Sequence, residues 1–343
     1  MVVIQTPLRV SLFGGGTDFP EYFLTSGGGG VLTMSIDKFV YVVAKRRFDS
    51  AVRVSYSRTE VVSDAAELEN DLVRECMLEV GLRSGIEIAL LADVPSQGTG
   101  LGSSGSFIVG ILHALYRLQG IRPSARLLAE KACSIERERL GRSVGLQDQY
   151  IAAFGGIRQI AFGRSGITVE HVSEVPPERL DDLFWLVYTG KTRSASDVLA
   201  EQAARIGETR DLLDAMAEQV SVGRRHLESA DLESLGRLIT EGWGLKRRLA
   251  TTITHPEIDD LCRVVDQAGA LGHKLCGAGG GGFVLALVPP AARKRFLAQM
   301  ADRTHFPLRV TPFGSRSLVS IGDLSGNGHL DAAPLQAAPV GVQ

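Results

Sequence analysis

The chain has 343 residues, is 44% hydrophobic and 22% charged, and carries 37 Lys and Arg against 39 Asp and Glu, a formal net charge of −2. That length allows two domains with sizeable cores, and the near-neutral balance gives no general reason to expect a nucleic-acid or membrane partner. No run approaches the roughly 18 apolar residues of a membrane span, and "MVVIQTPLRVSLF" alternates like a strand instead of opening a leader, so a cytoplasmic protein is expected.

Strand patterns fall near 2–13, 31–47, 52–57, 86–92, 157–162 and 168–172, and helical patterns near 66–81, 103–119 and 124–140. After Pro176-Pro177 the order changes. "LFWLVYTG" (183–190) reads as a buried strand, 196–222, 231–250 and 257–269 as helices, and 273–288 as a loop running into a strand. A helix over 291–302 and short strands to about 321 follow. The pattern is α+β, with domains expected at 1–176 and 177–323; the remainder, 324–343, lacks aromatic anchors and reads as a disordered tail. Cys76, Cys133, Cys262 and Cys276 have no C-x-x-C spacing and read as core thiols of a reducing compartment.

"PSQGTGLGSSGSF" (95–107) places glycines and hydroxyls immediately before an apolar helix, where free backbone N–H groups and the helix dipole favour an anion. It is not the common phosphate loop, because serine and glycine, not lysine, follow Gly102. Gly100, Gly102 and Gly105 also spell G-x-G-x-x-G, but the next segment reads as helix and no acid lies between Asp93 and Glu130, which argues against a dinucleotide site.

Four further places look chemical. In "TPLRVSLFGGGTDF" a strand carrying Arg9 breaks at Gly14, Gly15 and Gly16 and delivers Thr17 and Asp18. On a helical wheel Glu136 shares its face with Leu128, Ala129, Ala132, Cys133, Ile135 and Leu140, while Glu130, Lys131 and Glu138 lie farther round. A carboxylate on an apolar face requires a cationic partner or a metal, and the pattern leaves both open. Asp148 stands near the start of a short helix and shares a face with Ile151 and Ala152; it reads either as an inward functional acid or as a dipole-stabilising one. Finally, "KLCGAGGGGF" packs five glycines into six positions, which is entropically costly unless backbone must approach something closely.

In this order, the strand Arg with GGGTD, the P-x-x-G-x-G-L-G-S-S loop, the Asp of G-x-x-D-Q and the late G-A-G-G-G run resemble the GHMP kinases of galactose, homoserine, mevalonate and phosphomevalonate, over roughly residues 4–321. The resemblance implies a ribosomal S5-like N-terminal domain and a ferredoxin-like C-terminal domain with the site between them. It implies ATP phosphates on Pro95, Gly98, Gly100, Leu101, Gly102, Ser103, Ser104 and Gly105, and Mg2+ held by Ser104 and Glu136. Asp148 matches the catalytic aspartate and Arg9 its cationic partner. Gly14, Gly15, Gly16, Thr17, Asp18, Gly277, Ala278, Gly279 and Gly280 match the substrate-binding positions.

The galactokinase pattern GEHTD becomes GGGTD here, so its Glu and His side chains are missing. Within the family the motif set is most similar to bacterial kinases of D-glycero-α-D-manno-heptose 7-phosphate, with fucokinase-like sugar kinases and non-catalytic sensors as alternatives. A phosphosugar partner needs a distal cation, for which "YTGKTRSA" offers Lys191 and Arg193. Homodimerisation is left open.

Overall fold

The computed structural model describes residues 1–95, 98–192 and 195–321. In chain order, β1 (Val2–Phe13), the single turn α1 (Pro20–Phe23), β2 (Gly29–Arg46), β3 (Val52–Ser55), β4 (Thr59–Val62), α2 (Asp71–Glu79) and β5 (Ile86–Ala92) precede a helical stretch. That stretch is α3 (Ser103–Leu118), α4 (Ala125–Ser134) and α5 (Gln147–Phe154), followed by the hairpin of β6 (Ile157–Gly163) and β7 (Gly166–His171). Next come β8 (Phe184–Tyr188), α6 (Ala195–Ala204), α7 (Arg210–Glu228), α8 (Leu232–Lys246), α9 (Pro256–Gln267), β9 (Gly272–Leu275), β10 (Phe283–Leu287), α10 (Arg293–Gln299), β11 (His305–Pro307) and β12 (Arg316–Ser320).

The first sheet runs β12-β1-β2-β5-β3-β4, with β6 and β7 continuing from the other half of the long β2; β3 and β5 are parallel and the other pairs antiparallel. The second sheet is antiparallel, in the order β11-β8-β10-β9. Helix α3 packs on β1 and β2, while α7 and α8 contact β1 as well as each other, and α8 also contacts β9. One apolar cluster therefore extends from Ile4, Leu8 and Met34 to Phe184 and Leu285. No helix among the described residues is long and apolar enough to cross a membrane. All four cysteines are free and buried.

Four sequence expectations change. The helix read over 196–222 is two helices, because Gly207 interrupts the pattern and α7 starts only after Thr209, whose hydroxyl donates back to the Arg205 carbonyl at 2.9 Å. The helix read over 66–81 starts only at Asp71, where the Asn70 side chain accepts from Val73 N at 3.1 Å. The segment 273–288 is a β9–β10 hairpin around the glycine run, not a loop into one strand. A division at Pro176-Pro177 assigns β12 to the second unit, yet β12 pairs with β1, a long-range register no local pattern contains.

Candidate active site

β1 brings Arg9 to the centre of the molecule. Its Nε and Nη2 donate to the two carboxylate oxygens of Asp148 at 2.7 and 2.6 Å, and Nη1 donates to the Gly100 carbonyl at 2.6 Å. The planar guanidinium thus locks the carboxylate from the first turn of α5 to the glycine loop before α3. Glycine is required on both sides of this contact. A Cβ at Gly105 would stand 2.9 Å from Asp148 Cβ, and Gly102, at φ +78°, would put one 3.1 Å from Arg9 Cγ. Beside the pair, the N-terminus of the 16-residue α3 presents its first N–H groups, which have no intrahelical acceptor.

Glu136 is 2% exposed and points inward, as the wheel indicates. It lies in a π-turn over Ile135–Arg139 and not in a regular helix: Leu140 N donates to the Ile135 carbonyl at 3.0 Å. Its Oε1 accepts from Ser104 Oγ at 2.6 Å and its Oε2 from Gln149 Nε2 at 2.7 Å. Arg142 donates to Ser104 Oγ at 3.2 Å and to Asp71 at 2.7 Å, and lies 3.6 Å from Glu136. Burial raises the Glu136 carboxyl above its usual range against these bonds. A hydroxyl and a carboxylate meeting at a helix N-terminus are hard oxygen donors. They suit Mg2+, which keeps waters and takes its other ligands from phosphates. Among the described residues no group of three His, Cys, Asp or Glu forms a self-sufficient metal cage.

Asp18 is 1% exposed and is held by Gly16 N at 2.9 Å and Gln147 N at 3.2 Å. Burial raises its pKa, and the neighbouring Asp148 charge adds to the rise. Two lysines from the C-terminal half complete the floor. Lys274 donates to the Ser11 and Leu12 carbonyls, both at 2.9 Å, which opposes the burial that draws it down to about 7. The Lys246 ammonium has no hydrogen bond or ion pair among the described residues, and burial lowers it to about 8.

These groups line one cavity of about 980 Å³, whose far end reaches Tyr56, Asn70, Leu90 and Val94. Of the expected positions, Arg9, Gly15, Gly16, Asp18, Gly98, Gly100, Gly102, Ser103, Ser104, Gly105, Glu136, Asp148, Gly277 and Ala278 line it. Several others support the lining from behind. Thr17 is fully buried, its hydroxyl bonding the Gly14 and Gly30 carbonyls at 2.8 and 2.7 Å, so it clasps the turn where a substrate contact was expected. Gly14 is required because a Cβ there would lie 1.9 Å from Gly30 O. Leu101 is a core residue whose carbonyl receives Arg9 N. Gly279 fits against Ile253, whose carbonyl takes Gly280 N at 2.8 Å. Pro95 is exposed and absent from the lining. Lys191 is exposed, paired with Glu257 at 2.8 Å, and outside the lining. Arg193 lies outside the described residues.

The sequence reading missed Lys246, Lys274, Arg142 and Asp71. For Lys246 the signal was present: Leu235, Ile239 and Trp243 mark the buried face of α8, and Lys246 continues it.

A half-buried carboxylate clamped by arginine, beside a glycine-rich helix N-terminus in a cleft of this size, fits a phosphotransferase site. The model of the GHMP kinase N-terminal domain matches residues 62–156 and that of the GHMP kinase C-terminal region matches 224–305. The chain belongs to the GHMP kinases. It is similar to the D-glycero-alpha-D-manno-heptose 7-phosphate kinase of Campylobacter jejuni, 26% identical over 84% of the chain and 90% of that protein. It is also similar to the L-fucokinase/L-fucose-1-P guanylyltransferase of Bacteroides fragilis, 27% identical over 84% of the chain but only 35% of that longer protein. Among solved structures, a D-glycero-D-manno-heptose 1-phosphate kinase from Bacteroides thetaiotaomicron superposes with a TM-score of 0.76 at 22% identity, over 92% of this chain and 98% of that one.

Proposed function

We propose that the protein is an ATP-dependent sugar 1-kinase whose acceptor is D-glycero-α-D-manno-heptose 7-phosphate, giving the 1,7-bisphosphate used for activated heptose and surface polysaccharide. The observation that carries this reading is the Arg9–Asp148 clamp facing Asp18 across one cavity. Asp148 accepts the proton of the anomeric hydroxyl as that oxygen attacks the γ-phosphorus, whose bond to the β,γ-bridging oxygen breaks so that ADP leaves. Both its oxygens are oriented by Arg9 and each keeps a lone pair for the proton. Arg9 stabilises the resulting charge distribution and, through Gly100 O, keeps base and phosphate loop in register. Backbone N–H groups at the start of α3 hold the ATP phosphates in place of a lysine. Ser104 and Glu136 would hold Mg2+, which when bound supplies charge neutralisation on the phosphates.

Asp18 accepts hydroxyls, which suits a polyol. Thr192 and Ser196, at the mouth by the start of α6, offer donors for a distal phosphate. ATP as donor and four free buried thiols both fit a reducing cytoplasm. Fucokinase-like phosphorylation of a free sugar is the second reading, supported by the Bacteroides fragilis relative's similarity over the same share of this chain as the heptose kinase's. ADP release is the test, with heptose 7-phosphate, free heptose, fucose, galactose and mevalonate as acceptors. Preference for heptose 7-phosphate is expected. Equal kcat/KM for heptose 7-phosphate and for fucose or galactose refutes the assignment, and turnover of none of them refutes sugar-kinase function.

A further inference from the structure

Gly15 is the middle of three glycines, and it alone has no conformational or steric need to be glycine. Gly14 and Gly16 lie at φ +79° and +109°, and Cβ atoms on them would stand 1.9 Å from Gly30 O and 2.6 Å from Gln202 Nε2. Gly15 is outside the left-handed region, and a methyl there would meet nothing closer than Ser11 Oγ at 3.6 Å, Gln147 Nε2 at 3.7 Å and Lys246 Nζ at 3.9 Å. A side chain at this position would remove only the open volume above it. The three atoms around that volume are all polar.

All three side chains have unused hydrogen-bonding capacity. Ser11 Oγ and Gln147 Oε1 are buried without partners. Lys246 is 7% exposed and lines the cavity, and its ammonium has no hydrogen bond or ion pair among the described residues. Leaving a buried hydroxyl or charge unpaired is costly, so Ser11 Oγ, Lys246 Nζ and Gln147 Nε2 converging on one recess fit a polar group that arrives with the substrate. The charged groups acting on Lys246 are Asp18, Arg9 and Asp148, and Lys274 is its cationic neighbour. Arg9 and Asp148 are joined in an ion pair, whereas Asp18 acts on Lys246 only through space, without a direct contact. A phosphoryl dianion here would face the buried Asp18 carboxylate, whereas a neutral hydroxyl can accept from the ammonium and donate to an oxygen.

Resting on the sugar-kinase reading, we propose that the recess above Gly15 is a subsite for one hydroxyl of the acceptor, with Lys246 Nζ and the Gln147 amide donating to its oxygen and Ser11 Oγ or Asp18 accepting its hydrogen. Lys246 thereby becomes a specificity residue supplied by the C-terminal half to an acceptor whose base comes from the N-terminal half. The missing side chain at position 15 is then the means of admitting that hydroxyl.

The test uses two variants, Gly15→Ala and Lys246→Met, assayed for steady-state kinetics with heptose 7-phosphate and with free heptose, alongside thermal unfolding. Each variant is expected to raise the acceptor KM at least about tenfold, the loss of roughly one charged hydrogen bond, equally for both sugars. The ATP KM should be unchanged, and the melting temperature of Lys246→Met should be equal to or above that of the wild type, because an unpaired buried charge has been removed. A KM increase confined to the phosphorylated sugar overturns the proposal and makes the recess a phosphate site. Unchanged acceptor KM in Gly15→Ala overturns it without touching the kinase assignment. Wild-type protein that phosphorylates no sugar overturns both.

Discussion

Asp148→Asn isolates the chemistry of the clamp from its structural role. The substitution preserves shape but turns one accepting oxygen into a donor, so one of the two Arg9 bonds, at 2.7 and 2.6 Å, is lost and the other loses its ionic character. Arg9 keeps its 2.6 Å bond to Gly100 O and remains only 7% exposed, with its charge no longer matched. A charge-assisted hydrogen bond is worth about 1.5–3 kcal/mol, which sets the expected loss of folding stability. In a chain longer than 300 residues that amounts to a few degrees of melting temperature at roughly 2–4 °C per kcal/mol, leaving the variant folded at 25 °C. The loss of a general base is larger, about 10²–10⁴ in kcat, or roughly 3–5.5 kcal/mol of activation free energy. Turnover measured by ADP release should therefore collapse while a binding titration with ATP is unchanged, since the α3 N-terminus is untouched. A folded Asp148→Asn protein with near wild-type kcat would refute the assignment of the base. Loss of ATP binding would show instead that the clamp builds the phosphate loop.

Glu136→Ala should raise the Mg2+ concentration needed for half-maximal activity and lower kcat, whereas Glu138→Ala, which removes an exposed partner of Ser134, should leave a Mg2+ titration unchanged. Equal effects would place the metal elsewhere. Lys246 is lowered to about 8 by burial, against 10.5 for an ordinary lysine, so its charge is present below about pH 8 and lost above it. The acceptor KM should rise as pH passes through about 8, and this rise should be missing in Lys246→Met; a step that persists in the variant assigns it to another group. The same shift works in the opposite direction on stability: the penalty of the buried charge is full below about 8 and fades as pH climbs towards 10.5. Gly155→Ala would force a Cβ to 2.1 Å from the backbone of Phe313 and Gly314 at φ +68°, so denaturant unfolding should report a loss of about 2–3 kcal/mol or more. A change below about 0.5 kcal/mol, the range of an ordinary surface substitution, would show that the approach to β12 relaxes freely.

The sequence by itself determined whatever depends on neighbours a few residues apart. Periodicity located most of the strands and helices, and the apolar stripe of the segment from Ser124 identified Glu136 as an inward carboxylate even though a π-turn delivers it. The motif order gave the family and, with it, Arg9, Ser104 and Asp148, because the helix N-terminus and its glycines are local devices. The same wheel could have found Lys246 had it been applied to α8.

Tertiary structure alone decided what passes between distant segments. It paired β12 with β1, turned Thr17 into a clasp for Gly30, and engaged Lys191 with Glu257. It also set Lys246 over Gly15, more than 200 positions away in the chain. Local propensity records which face of an element is buried. Which charge meets which carboxylate inside that burial depends on how the two sheets pack, and the pattern of neither segment contains that information.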